Sequence, residues 1–240
     1  NHLTDKKAFE RHALLQQLSL CQGENLKVIQ ENCQDLLIKQ TVITDSPNTS
    51  SINNILKSVT SILVEDKHKV VSTPQYNNCV SAFTQLFSAC YTFQYDHWSR
   101  MHNWDARIES DISSHYIATE AVFICTLMRI HNLKPTAKNP IKNTHIEGHI
   151  NRLRMWSKLR PENYAAQYAI VKAVYFAKFN TIENAMLEFE KIFADVDKYG
   201  ALPHQILYYH YYAKLVKHYH PVLSTLCQEK EQQKKHQWCT

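Results

Sequence analysis

The chain has 240 residues, a formal net charge of +5 and only three glycines. Glycine this scarce excludes glycine-rich phosphate loops and many-turned β folds, and no apolar run is long enough to span a membrane. Lys and Arg number 27 against 22 Asp and Glu, a mild excess of alternating sign that suits an acidic protein or peptide partner and not nucleic acid.

In chain order, Thr4-Asp5 is placed to cap a helix with Phe9, Ala13, Leu14 and Leu18 on one side, stopped by Gly23. Leu26, Ile29, Cys33, Leu36 and Leu37 repeat at helical spacing and predict a second helix. A polar loop from Thr41 to Ser51 precedes a third, carried by Ile52, Ile55, Leu56, Val59 and Leu63. Pro74 breaks the pattern, and from Gln75 one helical face collects Tyr76, Val80, Phe83, Phe87, Cys90 and Tyr91, with Trp98, Met101 and Trp104 close behind. The next helix, marked by Ile112, Tyr116, Ala121, Phe123, Ile124, Leu127 and Met128, is apolar over most of its circumference, which predicts a central position. After a loop from His131 to Thr144, four helices are expected at about 145–160, 162–179, 182–199 and 203–219, separated by Pro161, Asn180-Thr181, Gly200 with Pro203, and Pro221. Connections this short force antiparallel neighbours. The expected organisation is an N-terminal helical segment over 1–72, a helical domain over 73–227 and a charged, frayed tail over 228–240.

The stretch from Ile150 to Ala173 sets Arg152, Arg154, Lys158 and Arg160 around Trp156, then breaks at Pro161. On a helix Ile146, Ile150, Leu153, Trp156 and Leu159 share a face, while Arg154 and Lys158 lie opposite. Trp156 therefore reads as a core anchor at a helix junction, not as a stacking platform for nucleic acid. With the ring fully buried, Trp156→Ala would cost about 3–5 kcal/mol, and Arg154→Ala would be nearly silent.

Few patterns carry chemistry. His145 and His149 stand one helical turn apart, but the order is HxExH instead of the HExxH of zinc proteases, so Glu147 faces elsewhere. Cysteines at 21, 33, 79, 90, 125, 227 and 239 make an odd count without a CxxC pair, which excludes a small disulfide scaffold and points to reduced, buried thiols in a cytoplasmic protein. Cys79 or Cys90 with His97, His115 or His131 offers a nucleophile pair only by arithmetic. Asp105, Glu109 and Asp111 are acids with nothing to orient them, and pairing with Arg107 is the simpler account. The segment from Tyr208 to His220 is the densest in Tyr and His. Tyr208, His210, Tyr211 and Tyr212 are its candidate partner-binding residues, on a concave, hydrogen-bonding groove of the kind helical repeats present. No catalytic residue, cofactor or metal site is expected.

One helix pair approaches a tetratricopeptide unit. Ala185 is followed by Phe189 at the second-helix spacing, and Ala173 and Phe176 fall at first-helix positions, while Ala169, Lys172 and Asp197 depart from the consensus. The small residues let the helices approach and the aromatics fill the gap. From about 113 to 217, through SSHYIATEAVFICTLMRI, NRLRMWSKLRPENYAAQYAIVKAVYFAKF, NTIENAMLEFEKIFADVDKYG and QILYYHYYAKLV, the chain resembles the tetratricopeptide-like helical region of large multidomain signalling ATPases and hybrid sensor kinases. It departs from that family at Lys172 and Tyr175, where acids are usual, and at Asn180, where glycine is usual. The resemblance implies a helical-repeat fold and a linking or sensing role, with no catalytic residue. The start at Asn1, without Met or a signal peptide, fits a segment of a longer protein.

The expected fold is all-α: antiparallel helical hairpins in a tetratricopeptide-like superhelical array of about eight or nine helices. The expected function is a protein–protein interaction scaffold or regulatory segment of a signalling protein. The alternative is a helical effector or enzyme using a Cys–His or metal site.

Overall fold

The computed structural model describes residues 2–40, 49–64, 79–93, 117–133 and 144–240. It is all-α, with ten helices and no strand among the described residues. Two compact units form, one of Asn1–Ala118 with Trp238–Thr240 and one of Thr119–Gln237.

The first unit contains α1 (His2–Gln22), α2 (Leu26–Gln40), α3 (Thr49–Val64) and α4 (Cys79–Tyr91). Gly23 ends α1 at φ 77°, a conformation that suits glycine. Its N–H bonds Leu20 O, and the next N–H, of Glu24, reaches back to Ser19 O, which makes a Schellman stop. The Asn25 side chain then accepts from the N–H groups of Lys27 and Val28 and caps α2. Stop and cap together turn the chain in three residues, so α1 and α2 pack as an antiparallel hairpin. Of the expected faces, Leu26, Ile29, Cys33, Ile52, Ile55, Val59, Phe83, Phe87 and Cys90 are fully buried, whereas Leu36, Leu37, Leu56 and Leu63 are half-buried. Buried Gln17 donates to Thr84 Oγ1 at 2.8 Å, and Ser58 donates to the Thr84 carbonyl at 3.2 Å. Trp238, 1 % exposed, packs edge-on against Phe87 and Tyr91.

The second unit is built from α5 (Ala118–Asn132), α6 (Thr144–Leu159), α7 (Pro161–Ala177), α8 (Ile182–Tyr199), α9 (Leu202–Val216) and α10 (Pro221–Cys239) as far as Gln237. The sequence breakers act where expected. Pro161 occupies the first turn of α7, where a missing N–H is harmless. Thr181 caps α8 through Asn184 N. At Gly200 a Cβ would lie 2.4 Å from the Val196 carbonyl oxygen, so glycine lets the chain turn tightly into α9. The helix apolar on all sides, α5, is buried along nearly its whole length, from Thr119 to Met128. The closest pairing is α7 against α8. Ala166, Ala169 and Ala173 of α7 and Ala185 of α8 are buried there, and Phe189 fills the space beyond them. Phe176 is only half-buried.

Two expectations are corrected. Trp156 is half-buried, its ring 6.1 Å from that of Tyr164, and Leu159 is 73 % exposed. Helix geometry gives the reason: Trp156 lies about 60° and Leu159 about 120° round the helix from buried Leu153, so the first borders the core and the second leaves it. The residues from 228 onward are no frayed tail. They continue α10, and Glu231 and Trp238 are buried. Charged composition hid a helix that turns one polar and one aromatic residue inward. Trp98, Met101, Trp104, Ile112, Tyr116 and the loop prolines after His131 lie outside the described residues.

Two substitutions weigh these contacts in urea denaturation. Ala185→Leu overfills the α7–α8 seam and destabilises by about 1–3 kcal/mol. Trp156→Ala, at a half-buried site, costs about 1–2 kcal/mol, below the value for a core tryptophan.

Candidate functional site

Three clusters in the second unit deserve a chemical reading, and the first is a buried polar triad. Glu120 of α5 accepts from Gln167 Nε2 of α7 at 2.5 Å and faces His204 Nε2 of α9 at 3.1 Å. All three side chains are buried, and the His204 ring stands edge-on to Phe123. The carboxylate accepts a hydrogen bond from His204 Nε2–H, while Nδ1 and Gln167 Oε1 are buried without a hydrogen-bond partner. None of these residues was a candidate from the sequence. They lie 47 and 84 positions apart, and no local period links them.

The second is the Tyr and His segment on α9. Tyr208, Tyr211 and Tyr212 are 2 %, 7 % and 5 % exposed, so they pack inward. Tyr208 donates to the Phe189 carbonyl and Tyr212 to Glu190 Oε1. The Tyr212 ring stacks on Phe189 with 5.2 Å between centroids. Burial, with the nearby acidic and phenolic groups, pushes the hydroxyls of Tyr208 and Tyr212 well above the ordinary tyrosine range. His210 is partly exposed and directs Nδ1 to Glu231 Oε2 of α10 at 3.3 Å, while Lys235 holds the other oxygen at 3.1 Å. Burial alone would raise the Glu231 carboxyl, but His210 and Lys235 together hold it below its ordinary value. The four sequence candidates thus sit together, three in the interior and one at the α9–α10 seam.

The third cluster is a mostly apolar cleft of about 170 Å³ lined by Val174 and Ala177 of α7 and Lys178 at its C-cap, Tyr211, Lys214 and Leu215 of α9, His131 of α5 and Phe189 of α8. Lys178 donates to the His131 carbonyl at 3.2 Å. Burial and the charge of Lys214 lower its pKa from the usual lysine value. The described lining holds two lysines and no carboxylate. Of the sequence candidates, Tyr211 and His131 line this cleft, whereas Cys90 does not.

The other motifs are structural. His145 is exposed, whereas His149 is buried with Nδ1 3.1 Å from Thr126 Oγ1. The Thr126 hydroxyl donates to the Val122 carbonyl, so its oxygen accepts the hydrogen bond from His149 Nδ1–H. The two imidazoles therefore do not converge, and no group of three metal-ligating side chains occurs among the described residues. Cys90 is fully buried, and burial pushes the Cys33 thiol up to about 12, far from a reactive thiolate. The side chain of Cys79, and His97, His115 and the acids from Asp96 to Asp111, lie outside the described residues. Lys172 pairs with Glu188 of α8 at 2.5 Å.

The Glu231 pairings set a pH dependence. A carboxyl depressed by folding stabilises above its unfolded pKa and loses that contribution as pH falls through the folded value. Glu231→Gln is expected to cost about 1–2 kcal/mol near neutral pH. The gap to the wild type closes as urea midpoints are taken into the acid range below the ordinary glutamate pKa.

In comparison with known proteins, no protein-family model matches the sequence, no curated protein matches it and no solved structure matches the fold.

Proposed function

We propose that the chain is a protein–protein interaction module, a scaffold or regulatory helical-repeat segment of a signalling protein, which takes a partner segment in the cleft of the second unit. The observation that carries the reading is the cleft itself: apolar walls with two lysines at about 170 Å³. That is smaller than the roughly 300–1,000 Å³ of small-molecule sites, and it suits one large apolar side chain of a peptide. Lys178 keeps two N–H donors beyond the one given to His131. Acidic or carbonyl groups flanking the anchor side chain meet those donors and Lys214. Tyr211 shapes the wall, and Tyr208 and Tyr212 hold α9 against Phe189 so that the wall is rigid. The tetratricopeptide-like array and the linking role between an ATPase and an output module rest on the quoted resemblance, supported by the buried Ala173, Ala185 and Phe189.

Filling the cleft tests the reading. Ala177→Trp, at a half-buried wall position, should leave the helical circular-dichroism spectrum intact and remove the proteins crosslinked to the wild-type chain in its own cells. If the variant captures the same proteins in the same amounts, partners do not bind through this cleft.

A further inference from the structure

The corner between α6 and α7 combines charge and apolar surface in a way the cleft does not use. Arg152, Arg154, Lys158 and Arg160 are all exposed. Arg160 lies 3.7 Å from Glu162. Arg152, Arg154 and Lys158 make no ion pair with any described residue. Among them stand Met155 and Leu159, one turn apart on α6 and 63 % and 73 % exposed. Trp156 and Tyr164 lie beside them, half-buried, with their rings 6.1 Å apart. At about 100° per residue these exposed side chains run round α6 in the order Arg154, Lys158, Met155, Leu159 and Arg152, within an arc of about 160° opposite buried Leu153. One exposed aliphatic residue needs no explanation. Two, with two aromatic rings and four cations on a single corner, call for a counterpart.

We propose that this corner is a peripheral contact with an anionic lipid surface: Met155 and Leu159 enter the headgroup layer while the four cations meet lipid phosphates and carboxylates. Shape favours lipid over protein. Met155 and Leu159 are mostly exposed beside a break of one residue, Arg160, between α6 and α7, so these apolar side chains protrude into solvent. A protein partner needs a matching pocket to bury them, whereas a fluid headgroup layer closes around protruding side chains unaided. Long basic side chains lay their stems along the apolar zone and keep their charge in water. Trp and Tyr rings are favoured at that depth. The contact is one-sided, because no helix among the described residues is long and apolar enough to cross a membrane. It is independent of the cleft, which lies at the other end of α7.

Vesicle sedimentation of the full chain tests the proposal, with phosphatidylcholine vesicles set against vesicles containing about one-third phosphatidylserine at about 0.1 M salt. The chain should sediment with the anionic vesicles and stay in solution with the neutral ones. Each unit of charge near an anionic surface is worth about fivefold in partitioning, so Arg152→Glu with Lys158→Glu should weaken binding by more than about 100-fold. Met155→Ser with Leu159→Ser should weaken it by about tenfold while all four cations remain. These side chains are exposed, so both double variants should keep the wild-type melting curve. The proposal is overturned if the wild type ignores anionic vesicles or binds neutral ones equally. It is also overturned if the serine variant binds like the wild type, since plain charge attraction, such as an acidic protein or a nucleic acid would also give, then accounts for the sedimentation.

Discussion

A carboxylate in the interior constrains the second unit. Glu120 is buried between three helices and is tolerable there only because Gln167 and His204 supply hydrogen bonds. That requirement fixes α5, α7 and α9 against one another near their N-terminal ends. From Glu120 to His131 on α5, from Gln167 to Lys178 on α7, and from His204 to Leu215 on α9 is the same number of residues, about 16 Å of helix rise. The three helices therefore run in one direction and in register. The polar knot sits at one end and the lysine cleft at the other. The tie that sets the register also brings Lys178 and Lys214 together, although neither touches it.

Between these ends, small side chains govern the spacing. Alanines at 166, 169 and 173 let α8 approach α7 closely, and Ala185 answers them from the other side. Phe189 then meets Tyr208 and Tyr212 of α9. Phe189 thus joins the α7–α8 seam to the α9 face and also forms part of the cleft wall. Buried tyrosine hydroxyls would be costly without partners. Phe189 O and Glu190 Oε1 provide them for Tyr208 and Tyr212, so an aromatic cluster expected on a groove surface is interior.

What could be read from the sequence follows from range. Helix limits are set by local chemistry, and Gly23, Pro161, Thr181 and Gly200 each act within a few residues of themselves. Ala173, Ala185 and Phe189 were legible as a seam because their spacing is that of a helical pair. Periodicity tells which residues share a face but not what covers it. The same pattern therefore placed Leu159 in the core, and it could not decide whether Tyr208, Tyr211 and Tyr212 point in or out. The polar triad was invisible because Glu120, Gln167 and His204 meet only after three helices have packed. Trp238 was hidden differently: ten mostly charged or amide residues before it lower the apparent apolarity of a helix that still buries its last aromatic ring.

Charge distribution separates the two surfaces of the second unit. Glu188 takes Lys172 and, more distantly, Lys191. Glu231 takes Lys235 and faces His210. Those cations lie along helix seams, where an acid on the same or the neighbouring helix offsets part of their cost of ordering. Such pairs are worth little where exposed and more where the carboxylate is buried, as both are here. Arg152, Arg154 and Lys158 of α6 pair with no described acid, and Arg160 beyond its end lies 3.7 Å from Glu162. A cation at a seam that already has its acid has little field left for a ligand. Arg152, Arg154 and Lys158 thus carry charge that no described acid neutralises, on the same helix from which Met155 and Leu159 protrude.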